Sequence, residues 1–140
     1  MMFLLDTNVI SALRRPDKIT PELRGWADAV EPADMFLSAI TIFELELGVQ
    51  RFERKDPAQG GGLRQWLGRR ILPEFRDRIL AVDTVVASRA AGLHVPDPRP
   101  DRDSFIAATA LVHRLTLVTR NIRDFEPMRV PMLNPWDASN

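Results

Sequence analysis

The sequence predicts an α/β protein, a three-layer α/β/α sandwich around a mostly parallel sheet of about five strands. Short apolar runs that fit buried strands alternate along the chain with longer segments of helical periodicity. Strands separated by helices are joined by right-handed crossovers, which make the strands parallel and cover both faces of the sheet. No internal repeat and no long linker interrupts the alternation, so we expect one domain over residues 1–140.

The composition is that of an ordinary globular protein and excludes thiol chemistry. Hydrophobic residues make up 45% and charged residues 27% of the 140 positions, as in typical soluble domains. The chain has no cysteine, which excludes disulfides and thiolate metal sites. Its N-terminal apolar run is too short for a signal peptide or a membrane span. We therefore expect a cytoplasmic protein that does not associate with membranes.

The charge balance argues against a strongly basic nucleic-acid coat. The 19 basic residues equal the 19 acidic residues, so the formal net charge is zero. Every basic residue except Lys18 and Lys55 is an arginine. Because arginine binds phosphate through two parallel hydrogen bonds, local phosphate contacts remain open. A GC-rich coding sequence explains the same bias without any function.

The first part of the chain predicts two strands and two helices. The helix that follows the first strand is stopped by Pro16. Thr20 is a suitable N-cap and Pro21 a suitable first helical residue, so a second helix begins there. The predicted elements are a strand over residues 2–5, helices over 7–15 and about 21–30, and a strand over 35–38.

The middle of the chain predicts helices on either side of a break. Residues 56–62 contain Pro57 and three glycines, which indicates a flexible turn or an insertion. The helical pattern resumes at Leu63 and is interrupted near Pro73. The predicted elements are helices over residues 41–54 and 63–75, a strand over 79–82 and a helix over 84–94.

The last part of the chain predicts one helix and two strands after a proline-rich loop. Prolines at 96, 98 and 100 exclude a helix interior over residues 95–100. The elements predicted beyond this loop are an apolar helix over about 103–114, a strand over 115–119 and a short fifth strand over 130–133.

Five oxygen-bearing side chains fall close to strand ends of the predicted sheet. Asp6 follows the first strand, Glu44 lies in the first turns of the helix after the second, and Asp103 opens the helix before the fourth. Asn121 and Asp124 follow the fourth strand. Functional groups in open α/β sheets gather at the carboxyl ends of the strands. These residues can therefore converge in a carboxylate site of the kind that Mg²⁺ and Mn²⁺ prefer.

Each of these acids also has a purely structural explanation. Asp6 can cap the helix that follows it, a role worth about 1 kcal/mol, and Asp101 or Asp103 can cap theirs. Glu44 lies outside the apolar arc of its helix, as a solvent-exposed glutamate does. Glu46 falls inside that arc and is the less expected of the two acids. Periodicity alone leaves the choice between them open.

Other catalytic chemistry has little support in the sequence. His94 and His113 are the only histidines, and His113 lies toward the end of an apolar helix, where a structural role is expected. No serine lies in a nucleophile elbow. The glycines at 60–62 lack the lysine and hydroxyl residue that complete a Walker loop. A small-molecule enzyme with a cofactor loop or a serine nucleophile is therefore disfavoured.

Four blocks of the sequence together resemble the PIN domain. They are LLDTNVISAL at residues 4–13, LSAITIFELELGV at 37–49, DSFIAATALVH at 103–113 and LVTRNIRDFE at 117–126. More narrowly, they are similar to the VapC-type toxins of bacterial and archaeal toxin–antitoxin pairs, including the FitB-like branch. The NPW at residues 134–136 suits that branch. The blocks have the order and spacing of the family and span almost the whole chain.

The resemblance implies a metal-dependent ribonuclease that uses Mg²⁺ or Mn²⁺ to activate water. The first three acids of the family correspond to Asp6, Glu44 and Asp103, so the resemblance favours Glu44 over Glu46. The fourth family acid corresponds to Asn121, which offers an amide oxygen but no charge. This exchange puts a second metal ion in doubt more than it puts activity in doubt.

The same resemblance assigns supporting roles to other residues. Thr7, Asn8 and Thr119 are positioned to orient the carboxylates, and Asp101 or Asp124 could partly replace the missing acid. Candidate contacts to RNA phosphate near the predicted rim are Arg14, Arg15, Arg102 and Arg120.

The resemblance also implies partners. Toxins of this kind form homodimers and are blocked by a small, VapB-like antitoxin, whose tail can place an arginine in the acidic site. The antitoxin, rather than this chain, is then expected to bind operator DNA. The exchange at Asn121 keeps one alternative open, a catalytically weak PIN module that acts mainly through partner binding in a DNA-binding complex.

Overall fold

Five parallel strands in the order β3-β2-β1-β4-β5 form the central sheet of the computed structural model, which describes residues 1–137. The strands are β1 (Phe3–Leu5), β2 (Met35–Ser38), β3 (Ile79–Leu80), β4 (Thr116–Val118) and β5 (Met132–Leu133). In β1, Leu4 lies opposite Phe36 on one side and Leu117 on the other. The remaining two pairings are parallel as well. The predicted parallel sheet is therefore confirmed, with several strands shorter than their apolar runs.

Helices connect the strands and cover both faces of the sheet. They are α1 (Thr7–Arg14), α2 (Pro21–Ala29), α3 (Ala39–Lys55), α4 (Pro57–Trp66), α5 (Leu72–Glu74), α6 (Thr84–Leu93), α7 (Asp101–His113) and α8 (Ile122–Phe125). A π-helical turn, Leu67–Ile71, joins α4 to α5, and short 3₁₀ turns cover Pro16–Lys18, Pro32–Asp34 and Glu126–Met128. Within residues 1–137, no helix is long and apolar enough to cross a membrane.

The central strand β1 divides the core into two layers. Phe3 and Leu5 point to one face and pack with residues from α1 to α4, whereas Leu4 points to the other face and packs with α7 and α8. All three side chains are buried, as expected for a strand covered on both faces. This arrangement confirms the predicted α/β/α sandwich.

Polar side chains set the starts of several helices. The hydroxyl of Thr20 accepts a hydrogen bond from the Leu23 N–H at 3.2 Å and Pro21 is the first residue of α2, which confirms the predicted start. Ser38, the last residue of β2, caps α3 through the Ile40 N–H at 3.0 Å. Helix α3 therefore begins directly at the carboxyl end of its strand, two residues before the predicted start.

The segment 56–62 was the main error of the predicted elements, because it is helical rather than a flexible turn or insertion. Asp56 caps α4 by accepting a hydrogen bond from the Gln59 N–H at 3.3 Å. Gly60 lies directly against α3, where a Cβ atom would stand 2.5 Å from the Cα of Glu53. The glycine at that position therefore permits two helices to approach closely, a role that composition does not distinguish from a break.

Candidate active site

The candidate site lies at the carboxyl edge of the sheet, between β1 and β4. The chain leaves β1 for β2 and β3 on one side, whereas β4 and β5 pair on the other. Such a topological switch point leaves a crevice at the carboxyl ends of the strands. Asp6 directly follows β1, and its N–H donates to the carbonyl of Val118 in β4 at 2.9 Å. Thr119, the residue after β4, therefore lies beside Asp6.

Asp6 caps a helix and takes part in the site at the same time. Its Oδ1 accepts a hydrogen bond from the Thr7 N–H at 2.8 Å, which is the capping contact of α1. Its Oδ2 accepts from the Thr119 hydroxyl at 2.8 Å and from Asn8 Nδ2 at 3.3 Å. With 6% of its surface exposed, the carboxylate is held by donors on both oxygens. The structural and functional explanations of Asp6 are thus compatible.

Glu44 reaches the site from α3 and bonds to α1. Its Oε1 accepts a hydrogen bond from the Thr7 hydroxyl at 2.7 Å, and that hydroxyl lies 3.2 Å from Thr41 Oγ1. Thr7 thus links the two helices that carry Asp6 and Glu44. Thr41 is a contributor that the sequence reasoning missed, although it lies three residues before Glu44 on the same face of a predicted helix.

Glu46, the other candidate on α3, has a different environment. Its carboxylate oxygens lie 2.8 Å and 2.7 Å from Arg64 Nη1 in α4. The Nη2 of Arg64 pairs in addition with Glu53 at 3.0 Å. Hydrogen bonds from Arg64 lower the pKa of Glu46. The departure of Glu46 from the apolar pattern is thus explained by an ion-pair network between two helices.

Asp103 enters the site from the first turn of α7. Its pKa is raised to about 6, chiefly by burial and in addition by the charges of Asp6, Asp124 and Glu44, in that order. The pKa of Asp6 is raised chiefly by burial; Glu44 and Asp124 add to that effect, and the hydrogen bonds from Thr119 and Thr7 oppose it. Four carboxylates therefore interact electrostatically across one edge of the sheet.

This donor set fits a hard divalent cation in its chemistry and its charge. Carboxylate oxygens are the preferred ligands of Mg²⁺ and Mn²⁺, and a cation relieves the mutual repulsion that raises the carboxyl pKa values. Within residues 1–137, no three acidic or histidine side chains stand close enough to ligate one ion together. The fit is therefore one of donor type and charge rather than of ligand distances.

Two residues after β4, Asn121 and Asp124, lie in the segment where the resemblance places the fourth acid of the site. Asn121 is the N-cap of α8 without a side-chain capping bond, and its N–H donates to Thr119 Oγ1 at 3.0 Å. Asp124 is the residue of this segment whose charge reaches both Asp6 and Asp103. The structure therefore brings the negative charge of Asp124 to the site alongside the neutral side chain of Asn121.

Asp101 stands apart from the other acids. Its side chain is 86% exposed and lies 3.8 Å from His94 Nε2. Helix α7 begins at Asp101, two residues before the predicted start, and its N-cap is Pro100 without a side-chain bond. The capping role considered for Asp101 and Asp103 is therefore wrong, because both residues lie in the first turn of the helix.

Of the four arginines predicted at the rim, Arg102 is the one that contacts an acid of the site. Its Nη1 lies 3.5 Å from Glu44 Oε2, and its guanidinium stacks over the ring of Phe43 at 5.0 Å. The backbone N–H of Arg120 donates to Asn8 Oδ1 at 3.3 Å. The side chains of the other three arginines contact residues outside the acidic site. Arg120 stacks over Trp136 at 5.1 Å, and Arg14 stacks over Trp66 at 5.6 Å. Arg15 pairs with Asp17 at 3.2 Å.

The chain matches a known family over most of its length. The family model described as PIN domain matches residues 3–129. These residues include every strand except β5 and all the acids of the candidate site.

Relatives with similar sequences match nearly the whole chain. Toxin FitB of Neisseria gonorrhoeae is 38% identical over 140 residues, which cover 96% of this chain and 99% of that protein. The crystal structure of FitAcB from the same species has a TM-score of 0.87 at 38% identity, covering 96% of this chain and 99% of its own.

One further relative is named as a ribonuclease, and another belongs to a toxin–antitoxin complex. The VapC ribonuclease Y4jK of Sinorhizobium fredii is 31% identical over 150 residues, covering 99% of this chain and 100% of that protein. A chain of a toxin–antitoxin complex from Klebsiella pneumoniae is 26% identical with a TM-score of 0.68, covering 96% of this chain and 98% of its own.

Proposed function

The chain belongs to the PIN-domain family, and on this premise we propose that it is an endoribonuclease toxin that needs Mg²⁺ or Mn²⁺. The observation that carries the proposal is the electrostatic coupling of Asp6, Glu44 and Asp103 at the carboxyl edge of the sheet. Relatives named as a toxin and as a ribonuclease support the reaction class. The substrate is RNA, and the bond that breaks is a phosphodiester.

In this proposal, each residue of the site has a defined task. Asp6, Glu44 and Asp103 would hold the cation, with Asp124 adding negative charge. When bound, the cation supplies a water of lowered pKa and polarises the scissile phosphate. Thr119 orients Asp6 by donating to its Oδ2, and Thr7 orients Glu44 in the same way.

Arg102 is the residue of this chain best placed to contact the substrate phosphate. Its guanidinium already lies 3.5 Å from Glu44 at the edge of the acidic site. A guanidinium can leave a single carboxylate contact for two hydrogen bonds to a phosphate. Within residues 1–137, the side chains of Arg14, Arg15 and Arg120 form no salt bridge with the acids of the site, so their phosphate contacts stay predictions.

The proposed partner is a small antitoxin that covers the acidic site. The complex from Klebsiella pneumoniae, a toxin with its antitoxin, supports this assignment. A site with four carboxylates is suited to receive a positively charged side chain from such a partner. Binding of operator DNA is assigned to the antitoxin, because the formal net charge of this chain is zero. We also propose a homodimer, a single domain over residues 1–140 and a cytoplasmic location.

Mapping of RNA ends after brief induction tests the proposed function. The wild-type chain should create new RNA ends at defined sites, and the variant Asp6→Asn, expressed to the same level, should create none. If the folded wild-type chain creates no new ends, the ribonuclease proposal is wrong. That result would favour the alternative that the exchange at Asn121 keeps open, a catalytically weak PIN module that acts mainly through partner binding.

The hydroxyl of Thr119 provides a test of how Asp6 is oriented. The variant Thr119→Val keeps the shape of the side chain but removes the donor to Asp6 Oδ2, so we expect cleavage to fall roughly 10–100-fold. The measurement is the cleavage rate of a labelled RNA. Thr109→Val is the matched control, because Thr109 is equally buried but donates to the Phe105 carbonyl within α7. Equal losses in both variants would contradict the assignment.

A further inference from the structure

A second concave surface of the molecule carries an excess of positive charge. It lies between the end of α6, the proline-rich loop and the turn after α8, and it has a volume of about 720 Å³. Arg89, Arg99 and Arg129 line it, and we call it the arginine groove. Asp97 is the one acid in its lining. Three positive charges against one negative charge leave a net charge of +2.

The fold does not use these three arginines for ion pairs. Among residues 1–137, no carboxylate lies within 4.0 Å of the guanidinium of Arg89, Arg99 or Arg129. The Nε of Arg99 is buried and lacks a hydrogen-bond partner. An arginine that stabilises a fold normally satisfies its donors with carboxylates or carbonyls. The groove therefore offers guanidinium groups that are available to an anionic ligand.

The lining of the groove indicates which anion it would bind. No aromatic residue lines it, so a nucleobase has no ring on which to stack. Several guanidinium groups around one concave surface suit a chain of phosphates, which they can bind in the forked geometry of arginine. The expected ligand is thus the backbone of a nucleic acid rather than its bases.

The groove is connected to the acidic site by two short segments of chain. Arg99 precedes α7, whose first turn holds Asp103. Arg129 follows the turn after α8, the helix that carries Asp124. The two segments that supply Asp103 and Asp124 to the site thus continue into the walls of the groove.

We propose that the arginine groove binds the phosphodiester backbone of the RNA substrate at nucleotides beyond the scissile bond. This inference rests on the proposed ribonuclease function for its choice of RNA as the ligand. Because phosphate contacts carry no sequence information, the groove adds affinity without adding base specificity. An acidic segment of a protein partner is the competing occupant that the experiment must exclude.

The test measures binding of a labelled single-stranded RNA to the full chain in a buffer that contains a chelator. The triple variant R89Q/R99Q/R129Q should bind about tenfold more weakly, and the slope of log affinity against log salt should fall by about 2, as expected for three lost phosphate contacts. The matched control R24Q/R51Q/R54Q removes the same charge from exposed positions on α2 and α3. It should change the affinity by less than about threefold.

Two further variants protect the test against misfolding. The triple variant R89K/R99K/R129K keeps the charges but loses the forked geometry, so its affinity should lie between that of wild type and that of the glutamine triple variant. If the glutamine triple variant does not fold, R89Q/R129Q, which changes two exposed side chains, should still weaken binding more than the control. Equal affinities of the groove variants and the control would overturn the proposal.

The outcomes separate this inference from the proposed function. Cleavage of RNA by the wild-type chain together with unchanged binding by the groove variants overturns the inference alone. Groove-dependent RNA binding by a wild-type chain that cleaves no RNA overturns the proposed function and supports the groove. If the groove variants lose affinity for the co-purified antitoxin and keep their affinity for RNA, the groove binds an acidic protein segment and the inference is wrong.

Discussion

Replacing Asp103 with asparagine should abolish RNA cleavage while leaving the chain folded. Asp103 supplies one of the carboxylates proposed to hold the cation, and its charge interacts with Asp6, Asp124 and Glu44. Loss of such a ligand should cost more than the roughly 10–100-fold that loss of a supporting hydrogen bond costs. The measurement is the initial rate of cleavage of a labelled RNA, with circular dichroism as the test of folding.

The same variant should be more stable than wild type above neutral pH. The pKa of Asp103 is about 6 in the fold against a reference value of 3.8, so the folded state binds its proton more tightly than the unfolded state. The resulting loss of wild-type stability begins as pH rises above about 4 and is complete above about 6. The variant carries no such charge. Its melting temperature should therefore exceed that of wild type at about pH 8, and the difference should vanish below about pH 4.

A different stability pattern would contradict this account of Asp103. If Asp103→Asn melts below wild type at about pH 8 in a chelating buffer, the carboxylate stabilises the fold and the loss of cleavage has a structural cause. The comparison in chelator is essential, because any cation that binds only the folded wild-type chain would raise its melting temperature.

Glu44→Gln should reduce cleavage by about 100-fold or more, whereas Glu46→Gln should leave it within about threefold of wild type. The two residues lie on the same helix and the substitutions are chemically identical. Glu44 bonds to Thr7 and faces the acidic site, but Glu46 pairs with Arg64 in α4. The proposal therefore predicts a loss that depends on position rather than on the number of acids removed.

The stability of the two glutamine variants provides the control for this pair. Glu46→Gln weakens a partly exposed ion pair, so its cost to stability should be at most about 1 kcal/mol. Equal cleavage rates in the two variants would contradict the placement of Glu44 in the site. A large loss of cleavage in Glu46→Gln alone would show that Glu46, rather than Glu44, is the acid of the site on α3.

The sheet and its functional edge could be predicted because each depends on local patterns. The apolar run that ends at Asp6 is short, as expected of a central parallel strand, and its residues Phe3, Leu4 and Leu5 are buried. A strand of that kind leads into a helix at its carboxyl end, so the position of Asp6 at the edge follows from the order of elements. The capping contact that Asp6 makes with Thr7 was equally predictable, because aspartate is a preferred residue at that position.

The choice between Glu44 and Glu46 could not be predicted from periodicity. Both lie on one helix within two positions, and the apolar arc indicates only which face is covered. Glu46 is compatible with its place inside the arc because Arg64 of α4 pairs with it. The first part of α4, residues 57–62, was predicted as a break rather than as a helix. The identity of a covering helix is tertiary information. The family resemblance favoured Glu44 without identifying that helix.

The long-range electrostatics of the site were also beyond sequence reasoning. Asp101 and Asp124 were both candidates to replace the missing fourth acid in part. The fold directs Asp101 toward His94 and the charge of Asp124 toward Asp6 and Asp103. Such a difference depends on the direction of each side chain, which spacing along the chain does not determine.

Dependence of RNA cleavage on a divalent cation tests the central claim most directly. The purified wild-type chain should cleave no RNA after treatment with a chelator, and addition of Mg²⁺ or Mn²⁺ should restore cleavage to wild type but not to Asp103→Asn. The same additions should raise the melting temperature of wild type and leave that of Asp103→Asn nearly unchanged. Full cleavage by the chelated wild-type chain would contradict the assignment of Asp6, Glu44 and Asp103 as ligands of a required cation.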